Sequence, residues 1–444
     1  MGEYKKVDDS AEWLTRFRSV HPSAAARDHD PKFGRVFVRG AGARLWDVAD
    51  NDYIDLTCGY SAANFGQSFP PLVEAAQRQL QILTHLTGEP HVGRIALAER
   101  LLDAFDWPRQ TSQVMFNTTG ARAIETAWKA VTAFRPGRIV TIGPAFHGRS
   151  LATLPLGQTQ PLAPLGGSLD EHILCGASPE YPYCAACPLQ LHYPDCDLQC
   201  VSQVLTTISD RAHEISAVLV EPAIGARGII VPPAEWFQRL RRVTQQHGIL
   251  LIADEIQTGL GRFGHLSLAK GQGWQPDLLV LGKSLGGGLV PISAVLGRSD
   301  VLECLVIGTE SETFAASPLA TAVASEVIEQ LTCGPWIEHG ANVGEKLRAF
   351  TRQLLQQHGL AASSMVEGQG ACCVIEFGSQ AAPRARHFAE ACVGQHLLPQ
   401  LTGPQLTRVA LMPPLTINEE ELSTTCTRLQ LAFADCVDFE AELP

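Results

Sequence analysis

No stretch of this 444-residue chain concentrates lysine and arginine, and 46 acidic against 34 basic side chains leave a formal net charge of −12. A partner with a phosphate backbone is therefore not expected. Apolar runs long enough to span a bilayer are also missing. The opening residues, MGEYKKVDDSAEWLTRF, have no apolar core of the kind a secretory signal needs, and Lys6 stands where a myristoylation signal has Ser or Thr. There is no internal repeat and no low-complexity tract. These absences set the expectation of a cytoplasmic protein that binds neither nucleic acid nor membrane. Charged residues are slightly scarce at 18%, while the 45% hydrophobic content is ordinary for a chain with a sizeable core. At this length one large domain with a smaller companion is expected.

What is present says more. Two short apolar runs, ILLIA at 249–253 and DLLVLG at 277–282, each lead into charge: the first into Asp254 and Glu255, the second into Lys283. Such runs, separated by helical or loop segments, are expected as central strands of a parallel sheet. Ligands bind outside the carboxyl ends of those strands, so a carboxylate and an amine would meet at one sheet edge. That pairing suits an enzyme using pyridoxal phosphate, which needs a lysine for its Schiff base and an acid on the pyridine nitrogen. Burial would lower the lysine pKa and free the amine to react. The plain alternative is a buried Asp–Lys ion pair in an ordinary sheet.

Upstream, VFVRGAGARLWDVADNDYIDLTCG reads as a small antiparallel meander with turns at Gly40–Gly42 and Asn51–Asp52. An apolar strand at 114–117 runs into Thr118, Thr119 and Gly120 and then a helix at 121–134. Small residues at a helix start expose N–H groups that suit phosphate; an ordinary Thr N-cap would look the same. PAFHGR at 144–149 is a loop with an aromatic ring, an imidazole and a guanidinium, and the Gly-, Pro- and Leu-rich residues after it, to about 178, read as a surface excursion. Strand and helix alternate through 297, the pattern of an α/β layer fold. Two long helices, at 317–331 and 342–358, then open a compact α+β tail. The expected division is 1–64 as an N-terminal segment contributing to a small domain, 65–320 as the large domain, and 321–444 as the C-terminal small domain. A Cys-rich insert at about 175–200 holds Cys175, Cys184, Cys187, Cys196 and Cys200. Cys184-x-x-Cys187 and Cys196-x-x-x-Cys200 have the count and rough spacing of a four-thiolate zinc knuckle. A reduced, proline-braced loop fits as well, and no metal is assigned.

Eight motifs in order, RLWDVADNDYIDLTCG, TTGARAIETA, FHGRSLATL, EPAIGARG, ADEIQTGLGRFG, LGKSLGGGLVPISA, ETFAASPLA and MPPLTI, resemble those of the class III aminotransferases, in the fold type I group of pyridoxal-phosphate enzymes. The likeness spans about residues 35–435. It implies an α/β large domain whose mostly parallel sheet, of the seven-stranded type, is flanked by helices, plus a small α+β domain. It implies pyridoxal 5'-phosphate as cofactor, a small-molecule amino donor, a keto-acid acceptor such as 2-oxoglutarate or pyruvate, ping-pong amino transfer, and a homodimer with shared active sites. By the same resemblance Lys283 would hold the cofactor as a Schiff base and shuttle the proton, and Asp254 would pair with the pyridine nitrogen. Ile256 and Phe146 would cover the two ring faces, while Gln257 would reach the ring hydroxyl and Glu221 would help hold that hydroxyl or a neighbouring backbone. His147 would join the cofactor site or be only a hydrogen-bonded loop residue. Thr119, Gly120 and Ala121 would cradle the phosphate, with Thr313 reaching it from the second subunit. Arg149 would grip a substrate carboxylate, and Tyr60 would touch substrate.

The chain also departs from the family pattern. Gly225-Ala226-Arg227-Gly228 stands where Gly-Glu-Gly-Gly is usual, and Ala410 where an arginine usually pairs with that glutamate. The common anchor for an α-carboxylate is then expected to be absent, with Arg227 or Arg408 as a replacement charge. Arg122 takes the place of a usual Glu just after the phosphate turn. Some relatives lacking that arginine are racemases of amino acid amides or lactams, so racemisation is the alternative to amino transfer. A degenerate member acting as a binding protein is a further one.

Overall fold

The computed structural model describes residues 9–25, 30–143, 145–157, 172–175, 187, 191–226, 228–378 and 381–440. The expectations for Arg227 and Cys184 lie outside them. The chain divides into two compact units, one of Met1–Phe69 with Glu338–Pro444, the other of Pro70–Ile337. Among the described residues no helix is long and apolar enough to cross a membrane.

Three strands come first: β1 (Phe37–Ala41), β2 (Arg44–Asp47) and β3 (Asp52–Asp55). Seven follow: β4 (Ser112–Asn117), β5 (Arg138–Thr141), β6 (Ile173–Cys175), β7 (Ile215–Val220), β8 (Leu250–Asp254), β9 (Leu278–Leu281) and β10 (Ser293–Arg298). The last five are short: β11 (Met365–Glu367), β12 (Cys373–Glu376), β13 (Leu397–Leu398), β14 (Gln400–Thr402) and β15 (Arg408–Leu411).

In the unit Pro70–Ile337 the seven middle strands form one sheet in the order β4-β10-β9-β8-β7-β5-β6. Only β10 runs against the rest. Every residue of β7, β8 and β9 is buried, which is why these strands read as unbroken apolar runs rather than alternating ones. Each such Leu, Ile or Val contributes roughly 1.5–3 kcal/mol by leaving water. The helix Gly120–Phe134 covers the sheet with Ala123, Ile124, Ala127, Ala130 and Val131, spaced three or four apart, packed against Ile139, Leu219, Ile252 and Val280.

Three expectations change here. The segment read as a plain surface excursion contains β6, an edge strand parallel to β5. The border expected near 320 falls instead at Ile337–Glu338, because the helix Pro318–Cys333 packs on the helices Pro70–Leu80 and Val92–Ala104 of the large sheet's unit. The N-terminal segment likewise runs to Phe69 rather than 64. The smaller unit holds two four-stranded sheets, β1-β2-β3-β13 and β11-β12-β15-β14. Its core joins Leu347, Phe377, Phe388, Val409, Leu411 and Phe433.

Candidate active site

Adjacent parallel strands deliver three charged side chains to one edge. Glu221 follows β7 directly, Asp254 ends β8, and Lys283 lies two residues beyond β9. A cavity there is lined by Gly120, Ala121, Phe146, His147, Glu221, Asp254, Ile256, Gln257 and Lys283. The carboxylate and the amine that the sequence placed at one sheet edge thus share one cavity.

The electrostatics are set by burial. Desolvation lowers the Lys283 amine to a pKa of about 8; the Glu221 and Asp254 charges oppose this and the Arg149 charge adds to it. A useful fraction of the amine is therefore neutral near physiological pH. Its Nζ donates to Gln257 Oε1 at 2.7 Å, and its φ of +42° is left-handed, a conformation that costs a non-glycine residue roughly 1–2 kcal/mol. Asp254 Oδ2 lies 2.7 Å from His147 Nδ1, and its Oδ1 accepts the Ile256 N–H at 3.1 Å. Burial raises the Glu221 pKa, with the His147 charge opposing and the Asp254 charge reinforcing; this carboxylate accepts the N–H groups of Phe146 at 2.6 Å and Gly225 at 2.7 Å.

Glycines keep this packing open. A Cβ on Gly120 would sit 2.8 Å from Ile256 Cδ1, and one on Gly225 would sit 2.6 Å from Gln257 Oε1. Thr119 is exposed, and its hydroxyl caps the helix by accepting the Arg122 N–H at 3.3 Å. The first-turn N–H groups at Gly120 and Ala121 have no partner within the helix.

The other residues expected at the site fall in different places. Thr313 is exposed and does not line the cavity. Arg149 is also exposed, with its guanidinium 5.1 Å from the Phe146 ring centre and, among the described residues, no carboxylate in ion-pair range. Tyr60 belongs to the smaller unit, where its hydroxyl donates to Asp30 Oδ2 at 3.0 Å and Lys32 Nζ lies 4.7 Å from the ring centre. Arg408 is not a free replacement charge. It is fully buried, pairs with Glu376 at 2.7 Å and also pairs with Glu367. Ala410, also buried, lies in β15 opposite Val374 and Gln400. Cys187, Cys196 and Cys200 are free thiols, and among the described residues no group of three or more His, Cys, Asp or Glu is arranged to hold a metal.

The cavity suits pyridoxal phosphate on three counts. Gln257 Nε2 and His147 Nε2 are buried with no hydrogen-bond partner among the described residues, which is costly unless a ligand meets them. The helix start at Gly120–Ala121 offers N–H groups to a phosphate. The Lys283 amine is held part-neutral for attack on a carbonyl.

Known proteins agree with that chemistry. The family described as aminotransferase class-III matches residues 24–433. The 5-aminovalerate aminotransferase DavT of Pseudomonas aeruginosa is 32% identical over 420 residues, covering 91% of this chain and 93% of that protein. Ornithine aminotransferase 1 of Staphylococcus saprophyticus is 29% identical over 397 residues, covering 87% of this chain and 91% of that one. Among solved structures, an amine transaminase from an uncultivated Pseudomonas species, in its pyridoxal-phosphate-bound form, superposes with a TM-score of 0.81 at 27% identity, over 94% of this chain and 98% of that one.

Proposed function

This chain belongs to the class-III aminotransferases and works with pyridoxal 5'-phosphate, and from that premise we propose how its own residues divide the work and which substrates they accept. Amino transfer rather than racemisation is the reaction for which the matching family and the relatives above are named. When bound, the cofactor supplies the carbonyl that takes up the amino group and a ring that spreads the electron pair left on the substrate carbon.

Lys283 provides the covalent tether and then, released, moves the proton at the reacting carbon as general base and acid. Asp254 faces the ring nitrogen and His147 fixes the direction of that carboxylate, as their 2.7 Å contact supports. Gln257 and Glu221 serve the ring hydroxyl side, Ile256 and Phe146 cover the ring faces, and the turn Thr119–Ala121 takes the phosphate. Thr313 completes the phosphate site from a second copy, in a homodimer with shared active sites. Its exposure, beside Ile307 at 100% and Phe314 at 62% exposed, supports an interface there. Eleven described cysteines are free thiols, which supports a reducing, cytoplasmic setting.

The donor carries its amino group on a carbon that bears no carboxylate, as a terminal amine or ω-amino acid. Ala410 and Ala226 offer no charge where an α-carboxylate anchor is usual, and Arg408 is committed to Glu376 and Glu367. Arg149, without an ion-pair partner among the described residues, takes the distal carboxylate of the donor and of an acceptor such as 2-oxoglutarate. Relatives named for 5-aminovalerate and ornithine support the same class. The observation that carries the reading is the Lys283–Gln257 contact in one cavity with the Asp254–His147 pair.

The test is a donor panel with 2-oxoglutarate or pyruvate, read by mass spectrometry. Terminal amines and ω-amino acids should transfer, and Arg149→Ala should raise KM for carboxylate-bearing donors more than for simple amines. Equal turnover of α-amino acids other than glutamate and alanine, the products of those two acceptors, would remove the substrate reading while leaving the reaction itself untouched.

A further inference from the structure

Arg122 explains itself only when the loop far downstream is included. Its guanidinium lies 3.2 Å from Glu125, 3.1 Å from Glu310 and 3.3 Å from Glu312. The Glu312 carboxylate also accepts the Thr118 N–H at 3.0 Å, the Thr118 hydroxyl at 2.8 Å and the Asn117 amide at 2.7 Å. Glu310, with only 4% of its side chain exposed, bonds to Thr126 and pairs with Lys129 as well. Arg122, Thr126 and Lys129 recur four and three residues apart along the helix Gly120–Phe134, so one helix face meets both carboxylates.

We infer that Arg122 is a positioning residue: with Glu310 and Glu312 it straps the segment carrying Thr313 to the turn that begins the phosphate-binding helix. The inference rests on the reading above in which Thr313 serves the phosphate of a second copy. Thr313 follows Glu312 directly, so its place is set by the strap and not by packing of its own exposed side chain. Each copy's phosphate turn would thereby hold in place the residue that it lends to its partner. The charge balance fits only with a cation at 122. With the family's usual Glu there, Glu125, Glu310 and Glu312 would gain a fourth carboxylate and keep only Lys129. Burial would raise the Glu310 pKa, but bonds from Lys129 and Thr126 and the charges of Lys129 and Arg122 outweigh it and hold the group below its ordinary value.

The test uses holoenzyme of Arg122→Glu, Arg122→Lys, Glu312→Gln and Thr313→Ala. Two quantities are read: the cofactor retained on dilution, and hydrogen exchange across residues 308–316. Arg122→Glu should weaken cofactor retention roughly tenfold or more and raise exchange in that segment, with Arg122→Lys recovering most of both. Glu312→Gln should show a smaller loss of the same kind, and it decides the matter if Arg122→Glu does not fold. Wild-type exchange and retention in these variants would overturn the strap. So would raised exchange with undiminished retention, provided Thr313→Ala does lose cofactor. If Thr313→Ala itself keeps its cofactor, the cross-subunit role of Thr313 is what fails.

Discussion

The two units each bury a cluster of opposite charges, and the clusters are finished to different degrees. In the smaller unit Arg408 is met by Glu376 and Glu367 and fully enclosed. In the larger one Asp254, Glu221, His147 and Lys283 surround a cavity, and Gln257 Nε2 and His147 Nε2 still lack partners among the described residues. A closed ion pair is a structural part, costly to break and chemically quiet. An open set, with a lysine pushed down to about 8, is poised for a ligand that will complete it.

The sharpest way to test this contrast is to remove one cation from each cluster. Lys283→Ala should replace the cofactor's Schiff-base absorption band by that of the free aldehyde and lower amino transfer by about 10³-fold or more, without the loss of stability that breaking a closed ion pair brings. Arg408→Leu should do the reverse. It leaves Glu376 and Glu367 without their cation, which costs about 3–5 kcal/mol, while kcat of the protein that remains folded stays unchanged. Calorimetry and turnover on both variants would break the comparison if Arg408→Leu lost activity at full stability.

How much of this contrast was legible in the sequence depends on the residue. Asp254 and Lys283 announced themselves because each follows an unbroken apolar run, and β8 and β9 are buried on both faces. The role of Arg408 is hidden in the sequence for a physical reason. Val409 and Leu411 point into the small unit's core, but nothing local says that Glu376 pairs opposite in register, since Arg408 lies 32 residues beyond it and the alignment is a tertiary fact. The domain border is hidden for a similar reason: the pattern of the helix Pro318–Cys333 shows an apolar face but not which unit it covers. β6 leaves no mark in the sequence because three residues carry too little periodicity. The sequence fits Thr119 as a cap or as a phosphate ligand; its hydroxyl bond to the Arg122 N–H makes it a cap, while the first-turn backbone beside it can still offer N–H groups.

The open cluster should also leave a mark on the pH dependence of stability. For cofactor-free protein, Lys283 has a folded-state pKa of about 8 against 10.5 when unfolded. Below pH 8 it is protonated in both states, and the cost of burying the charge is fully present. Between 8 and 10.5 the unfolded chain holds a proton that the folded one has lost, so stability rises with pH. The stability gap between Lys283→Met and wild type should therefore shift in favour of wild type across that window and stay flat below it. Denaturant titrations at pH 7 to 10.5 measure the slope; a pH-independent gap would show that the amine is not desolvated.

The smallest expected effects come from adding one methyl group to each unit. In the smaller unit a Cβ on Gly344 would drive into the Gly370 carbonyl. Backbone cannot step aside cheaply, so Gly344→Ala should cost about 1–3 kcal/mol of stability with kcat preserved. In the larger unit a Cβ on Gly225 meets the far end of the Gln257 side chain, 2.6 Å from Oε1. That end is flexible and will move, so the fold should keep its melting temperature. The displaced atom, however, is the acceptor for Lys283 Nζ at 2.7 Å. A neutral side chain's hydrogen bond of this kind contributes about 0.5–1.5 kcal/mol, so Gly225→Ala should slow turnover roughly two- to tenfold at unchanged stability. The same methyl group would then act on stability in the unit whose charges are closed and on chemistry in the unit whose charges are open. A Gly225→Ala enzyme with wild-type kcat would mean that the Gln257 contact does not bear on the reaction.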